Sequence, residues 1–536
     1  MFINRSWFFV LILSGVVAAL YGQFLWNPIL FDDLYFFRLD NEGNQPVSSY
    51  HFAWFELRSL PYATLAWTKA WFGLNLISFR VGNLLLHAAV VLALFCFLAK
   101  LFEMLRDEDD KTALSSRCSA FFAALLFALH PVATYAAGYL VQRTILMAAL
   151  FCLLSMLCYL HGSTRQKPLW LWGGVFFYFM AVFSKEHAIM LPFVLAALTV
   201  LLHDDWLAKL KERWSVFAAL AVIALFVLLI SRGILGSVYE INAPEMLHQD
   251  NIEIAYPLSI ATQSWLFFKY ALLWIFPNPT LMSVDMREPF AHSLLSSYML
   301  AAVGFLSWGM GAFWLLLKRG KMGLVGFALL FPWLMFFTEF ASVRIQEVFV
   351  LYRSYLWAIG TFCLLPVLFA RANARVATLI LTIIALAMFI VSMERLMTFS
   401  HPVLLWDDAE KLVKGRADLP GVYRIYYNRG IELVKIDQPD QAISDLKQSV
   451  VLNKNFAEAH GSLGGAYFKK GDWQNAIVSF SNAIEIAHSR NIYLHPRYIY
   501  RRAQAHENMG NIPKAQADYQ ESCQLFNKGC EKLFKK

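Results

Sequence analysis

Eleven separate apolar runs of roughly 14 to 24 residues constrain this chain more than any other feature. About 20 apolar residues in a helix reach across the hydrocarbon of a bilayer. Inside it, backbone polar groups must be satisfied within the segment, which favours helix over irregular chain. The runs are 7–26, 81–102, 118–131, 144–159, 169–183, 188–202, 215–230, 294–317, 322–337, 354–370 and 376–393. A further apolar stretch, 264–276, ends in Pro277-Asn278-Pro279 and reads as re-entrant or interfacial; a full crossing would change the span count. The chain is 58% hydrophobic and 16% charged. Soluble domains carry about 25% charge, so the composition points the same way.

Charge placement gives an expected orientation. With the N-terminus inside, the inside loops hold 15 basic residues: Arg5; Lys100, Arg106, Lys111 and Arg117; Arg165 and Lys167; Lys209, Lys211 and Arg213; Lys318, Arg319 and Lys321; Arg371 and Arg375. The outside loops are longer and carry fewer, which is the positive-inside asymmetry. Eleven spans then bring the C-terminus out on the opposite side. The first run follows Arg5 and is too long for the core of a cleaved signal, so it reads as a retained anchor. The net charge of +8 is a topology signal on this reading, and no nucleic-acid partner is expected.

From about residue 394 the pattern becomes that of soluble amphipathic helix. Gly430 and Gly464 are 34 residues apart, as are Ala442 and Ala476, with Leu433, Leu446, Leu463, Tyr467, Phe480 and Ala483 in register. That period is the tetratricopeptide one. A third copy, Ala503, Ala515 and Tyr519, follows an insertion around 493–496. The expected organisation is a transmembrane domain over 1–393 with its first outer loop at 27–80, a linker helix over 394–421, and about three repeats over 422–530. The fold class is all-α, a polytopic membrane helix bundle followed by a helical solenoid.

The segment 27–37, NPILFDDLYFF, sets Asp32 and Asp33 just beyond the first span among apolar and aromatic residues. Such carboxylates are costly to desolvate and raise one another's pKa. A carboxylate at the membrane surface can take a proton from an acceptor hydroxyl; a helix cap or solvated pair is the plain alternative. On the same side lie Arg58, Arg80, Arg143, Lys185 with Glu186, Lys269, Arg287, Arg344 and Arg353. Ionisable groups at membrane depth are functional candidates, and a lipid phosphate would need such cations. Snorkelling or structural ion pairing is the competing explanation for each. His130-Pro131 closes a span, and Asn83 and His87 share a helix face; satisfied core polar groups explain these better than metal binding. The sequence carries no glycine-rich phosphate loop, zinc spacing or nucleophile elbow. The chain therefore shows no sign of binding a nucleotide, and an activated sugar would have to arrive on a lipid.

Cys96, Cys118, Cys152, Cys158 and Cys363 lie in or beside apolar runs and read as packing residues. Cys523 and Cys530 fall in the polar part, on the side expected to be oxidising. Seven residues apart on an unbroken helix they would be roughly 10 Å distant, beyond disulfide reach. A bridge is expected only if the chain folds back, as Gly529 permits.

These motifs together resemble the transmembrane-and-tetratricopeptide-repeat O-mannosyltransferases and, more closely, their bacterial relatives. The acidic pair in FDD (31–33) looks like that family's first-loop motif. GLNLISFRVGNLLLH (73–87) is similar to its Gly-Leu to Asn-Leu-x-x-His stretch, with Arg80 in place of a His. HPVATYAAGYLVQR (130–143) looks like its His-Pro segment closing on an Arg, with Tyr135 where a Glu is usual. SKEHAIMLP (184–192) matches its Ser-Lys-Glu box. LYRSYLW (351–357) keeps Arg353 and Tyr355 but has Tyr352 where a His is usual.

The resemblance implies a GT-C-type fold of about 11 spans, with the acidic pair facing an acceptor and a polyprenyl-phosphate sugar among the helices. It implies an inverting displacement, with Asp32 or Asp33 as base and with no cofactor and no divalent metal expected. Arg143, Lys185 and Arg353 are the expected phosphate-holding residues, with Glu186, Tyr355, His130 and Arg58 also assigned to the donor site. The expected reaction is transfer to a Ser or Thr hydroxyl of an exported protein, such as a pilin, presented by the repeats. The expected location is a cell inner membrane with the repeats in the periplasm. Two alternatives stand beside it: transfer to lipid A or a surface glycan, and a non-enzymatic scaffold using the repeats alone.

Overall fold

A computed structural model describes residues 6–37, 46–105, 114–165, 167–235, 254–293, 295–345 and 347–533. Among the residues counted for orientation, Arg5, Arg106 and Lys111 lie outside the described ones. The chain divides into two compact units, Met1–His401 and Pro402–Lys536. Both are helical, and the one extended pairing among the described residues is a bridge between Met286 and Phe349.

Among the described residues of the first unit, eight helices are long and apolar enough to cross a membrane: Ser6–Phe24, Leu76–Met104, Leu140–Arg165, Trp214–Ser231, Ser297–Lys318, Gly320–Ala341, Leu351–Leu368 and Ala374–Thr398. Ser116–Ala128 and Pro131–Ala137 make a ninth only as a pair bent by 54°. The break has a local cause. Pro131 has no N–H to donate to the preceding turn, and the His130 ring accepts the Val132 N–H at 3.2 Å instead. The apolar helices Pro168–Ser184 and Glu186–Leu202 are shorter, and with them the helices fall on all eleven runs. The stretch 264–276 is the second half of a continuous helix, Ala255–Ile275, whose Gln263 and Lys269 keep it out of the apolar set.

Several helix ends differ from the hydropathy reading. The second span starts at Leu76, so Arg80 lies inside the helix. Its guanidinium is buried and donates to the carbonyls of Asn27 (2.9 Å), Gly138 (3.0 Å) and Pro28, which satisfies a charge that hydropathy alone would have excluded. The single linker helix expected over 394–421 is not formed. Ala374–Thr398 runs past 393, and a separate helix, Pro402–Val413, begins at a proline suited to a first helical turn. That second helix buries Leu405, Trp406, Ala409 and Val413 within the second unit, and Arg429 reaches its Asp407 and Glu410.

The second unit continues as three helix pairs: Tyr423–Lys435 with Pro439–Leu452, Ala457–Lys470 with Trp473–Ser489, and Arg497–Asn508 with Ile512–Phe526. The glycines 34 residues apart sit where the helices of the first two pairs pack together. A Cβ on Gly430 would stand 2.7 Å from Leu446, and one on Gly464 would stand 2.8 Å from Phe480. Leu446, Ala476 and Phe480 belong to one buried cluster that joins the first two pairs. The last helix stops at Asn527, which takes the left-handed conformation, and Gly529 does the same two residues later. The chain thereby doubles back, and Cys523 and Cys530 are joined with their Cα atoms 5.0 Å apart.

Candidate active site

The two acids of the first loop have different surroundings. Leu30 and Phe31 open a tight turn, and Phe31 has φ +53°, a conformation costly for a side chain with a Cβ. Left-handed backbone at a non-glycine residue persists where the surroundings hold it, often at functional sites. The turn sends Asp33 inward. Its carboxylate accepts the backbone N–H groups of Leu140 (3.1 Å) and Val141 (2.7 Å), and it is 2% exposed. Burial pushes its carboxyl up to about 7 against the lowering pull of the Val141 N–H, Arg80 and the Leu140 N–H. Asp32 is exposed. Its N–H donates to the Tyr139 hydroxyl at 2.8 Å, and its side chain is hydrogen-bonded to that same hydroxyl. Asp33 therefore fastens the loop to the turn at 139–141, and Asp32 is the acid presented outward.

Arg80 and Arg143 complete that fastening. Arg80 ties Asn27 and Pro28 to Gly138, holding both ends of the loop's seat. Arg143 donates to Asn83 Oδ1 (2.8 Å), Thr64 Oγ1 (3.2 Å) and the Phe79 carbonyl (2.8 Å), and is 2% exposed. All its nitrogens have neutral acceptors on neighbouring helices, which gives Arg143 a bracing role in place of the expected phosphate contact.

A second set of charges surrounds Ser184–His187. Arg58, itself left-handed at φ +63°, forms a two-point pair with Glu186. His187 Nε2 lies 3.2 Å from Glu339, a fully buried acid that also meets Arg344 (3.1 Å) and Arg353 (3.1 Å). Arg353 reaches on to Glu347 at 2.9 Å. In this network four cations, Arg58, Lys185, Arg344 and Arg353, stand against three carboxylates, Glu186, Glu339 and Glu347. The cation left over is Lys185. It is buried, and among the described residues its ammonium has no hydrogen bond or ion pair. Burial, then the Arg58 charge, lowers its pKa to about 7. Such a buried cation is costly to charge without an anion beside it.

Tyr352 connects the two halves. Its ring lies 6.4 Å from that of Tyr139, and it feels the charges of Glu347, Arg353, Asp32 and Arg58. Lys185 has Arg58, Arg353 and Glu347 in common with Tyr352 as charged neighbours. Two further residues assigned to the donor site have other partners. The His130 ring spans the Trp274 carbonyl (3.1 Å) and the Val132 N–H. The Tyr355 hydroxyl lies 2.8 Å from His87 Nδ1, whose other nitrogen is 3.3 Å from the Ala128 carbonyl. Both are buried packing groups here. Glu339, His187, Tyr139 and the bracing role of Arg80 were not anticipated. The one signal for Glu339 was an acid two residues beyond an apolar run, followed by Arg344. Among the described residues no group of His, Cys, Asp and Glu is arranged to hold a metal.

No family model matches the chain. It is 34% identical over 151 residues to "Protein O-mannosyl-transferase TMTC2" of Mus musculus, and to the Homo sapiens protein of that name over the same length. It is 32% identical over 127 residues to "Protein O-mannosyl-transferase TMTC4" of Mus musculus. These matches cover 28% and 22% of this chain, and only 15% and 17% of those proteins' own length. Among solved structures, the crystal structure of MamA protein aligns with 26% of this chain and 71% of that one at 22% identity, with a TM-score of 0.22, too low to bear on the fold. Over the matched stretches the chain is similar to proteins named as TMTC protein O-mannosyl-transferases, and it spans less than a fifth of their length.

Proposed function

We propose that the chain is a membrane glycosyltransferase of GT-C type that moves a sugar from a polyprenyl-phosphate carrier to a Ser or Thr hydroxyl of an exported protein. The observation that carries this reading is an exposed acid, Asp32, in the same unit as a buried ammonium, Lys185, that has no ion pair among the described residues. The curated relatives are named as protein O-mannosyl-transferases, which supports the reaction class. The three helix pairs supply a surface of the kind that binds extended peptides, which supports a protein acceptor.

In the proposed reaction Asp32 takes the acceptor hydroxyl's proton as that oxygen attacks the anomeric carbon. The bond from that carbon to the carrier's phosphate oxygen breaks on the opposite face, and the phosphate leaves with the electron pair. The configuration inverts. Charge grows on the departing phosphate, and a preplaced ammonium stabilises that state more than the ground state. Lys185 fills that role, while Arg58 and Arg353, already matched by Glu186 and by Glu339 and Glu347, orient the pocket. Asp33 and Arg143 position the loop. No metal is assigned to the step. On this reading the membrane is a bacterial inner membrane, with Asp32 on its outer side and the chain leaving the last span on that side, as the positive-inside asymmetry supports.

The test is transfer of a labelled hexose from a polyprenyl-phosphate carrier to envelope protein, using membranes holding the full chain. Label on protein that vanishes with Asp32→Asn, at equal membrane level, supports the reading. Label found only on glycolipid would move the acceptor to a lipid, and label unchanged by the substitution would remove Asp32 as base.

A further inference from the structure

The ends of the membrane-unit helices farthest from the acid pair hold a charge with no part in the proposed chemistry. The helix Arg143–Arg165 starts two residues after Val141, whose N–H holds Asp33. At 1.5 Å per residue, Ser163 lies about 30 Å further along it, the thickness of a bilayer's hydrocarbon. Ser163, and Tyr159 one turn before it, receive Arg213. Its Nη1 donates to the Ser163 hydroxyl (2.8 Å) and the Tyr159 hydroxyl (3.1 Å). Its guanidinium also lies 5.3 Å from the centre of the Tyr159 ring. The Tyr159 hydroxyl in turn meets Thr199 at 2.5 Å, near the end of the apolar helix Glu186–Leu202. Arg213 itself immediately precedes the span Trp214–Ser231. It stands where three apolar helices end together, at headgroup level.

Arg213 is 6% exposed, yet among the described residues no carboxylate pairs with it. Arg80 and Arg143, the braces near the acid pair, engage all three guanidinium nitrogens with neutral acceptors. Arg213 engages Nη1 alone. Its Nε and Nη2 form an edge that can meet a phosphate with two parallel N–H groups, and among the described residues they have no partner. A second unsatisfied group adjoins it. His203, just past Leu202, has Nε2 enclosed without a hydrogen-bond partner, and burial, then the Arg213 charge, lowers its pKa. Arg319 fixes that corner by pairing with Asp204 and donating to the His203 carbonyl. It does so at φ +59° and ψ −170°, backbone nearly exclusive to glycine that persists where the surroundings hold it. The acids nearby are already used, Asp204 by Arg319 and Glu212 by Lys209 at 2.7 Å. Asp205 remains, outnumbered by Arg165, Lys211 and Arg213.

We propose that Arg213, with His203 beside it, binds the phosphodiester headgroup of an anionic phospholipid in the leaflet opposite Asp32. The Nε–Nη2 edge grips two phosphate oxygens while Nη1 keeps its hold on Ser163 and Tyr159. Burial without a partner charge leaves such a cation in need of an anion. Basic pockets between helix ends suit lipid phosphates because the headgroups lie at that depth. The site is separate from Lys185 and stands whether or not the chain transfers sugar.

The experiment is native mass spectrometry of the purified full chain, titrated with dioleoyl phosphatidylglycerol or dioleoyl phosphatidylcholine. One phosphatidylglycerol should be retained about tenfold more tightly than phosphatidylcholine, the scale of a charge-assisted hydrogen bond. Arg213→Met should erase that preference, and Arg213→Lys, which keeps the charge without the fork, should lower it. Lys211→Met should leave it intact. Equal retention of the two lipids by the native chain would overturn the proposal, and that result needs no variant to fold. A loss with Lys211→Met as large as with Arg213→Met would overturn it in favour of diffuse surface charge. Thermal stabilisation by soluble glycerol phosphate as large as by phosphatidylglycerol would overturn the lipid as the source of the phosphate.

Discussion

The repeat unit and the membrane unit both bury charge, but they close it differently. In the repeats, Arg429 grips Asp445 at 2.7 and 2.8 Å, and Arg502 grips Asp518 at 2.9 and 2.8 Å, each two-pronged and spaced 16 residues along the chain. Each is a helix pair's internal clasp, its charge matched within the fold. Around Ser184–His187 in the membrane unit, Glu186, Glu339 and Glu347 match Arg58, Arg344 and Arg353 and leave Lys185 without an ion pair among the described residues. A matched pair needs nothing further; an unmatched buried ammonium is stabilised by an anion from outside. Arg80 and Arg143 are a third case, buried cations whose hydrogen bonds go to neutral acceptors of the fold.

The largest effect expected is at Asp32. Asp32→Asn should lower transfer by about 10²–10⁴-fold, the usual contribution of general-base catalysis, with no change in thermal stability of the purified chain. Asp33→Asn should instead lower the melting temperature, because an amide NH₂ would face the N–H groups of Leu140 or Val141. Equal loss of stability from both substitutions would erase the distinction between the acids.

Next comes Lys185. Lys185→Met removes the surplus charge and should weaken binding of the polyprenyl-phosphate donor by about 10- to 100-fold, as measured by titration in detergent or nanodiscs. In the closed clasp, Arg502→Met should cost about 1–2 kcal/mol of repeat stability by denaturant unfolding, without altering donor binding. Joint replacement of Arg502 by Met and Asp518 by Leu should recover most of that loss, since removing both partners leaves no buried charge alone. No comparable second-site partner exists for Lys185, so its loss should have no internal rescue.

The smallest expected effect is that of pH. Because burial lowers the Lys185 pKa to about 7, the ammonium is present below that pH and lost above it. Donor affinity should therefore fall as pH rises from 6 to 8, by about tenfold at most, since a bound phosphate itself favours the charged form. Lys185→Arg, which stays charged, should flatten the profile. A fall in affinity toward low pH would contradict the assignment.

Much of the fold was legible because its signals are local. Apolar runs of spanning length and a 34-residue period survive in sequence whatever they pack against. The errors occurred where long-range contacts override composition. Arg80 sits inside a helix because three carbonyls from 27–28 and 138 surround it, and no window around residue 80 contains them. The helix break at 399–401 was hidden because the flanking segments are both helical. In the site, the acids and Lys185 were legible as charges beside apolar runs, but their roles were not. That Arg143 is consumed by Asn83, Thr64 and Phe79, or that Tyr355 meets His87 from 268 residues away, depends on packing between distant helices. The surplus charge at Lys185 depends on how the distant Glu339 and Glu347 pair with their arginines.

The most direct test of the account compares envelope proteins by mass spectrometry in cells carrying the native chain or Asp32→Asn at equal membrane level. The account predicts a sugar on a Ser or Thr of at least one exported protein with the native chain and its absence with the variant. The same glycopeptides at the same occupancy in both would contradict it.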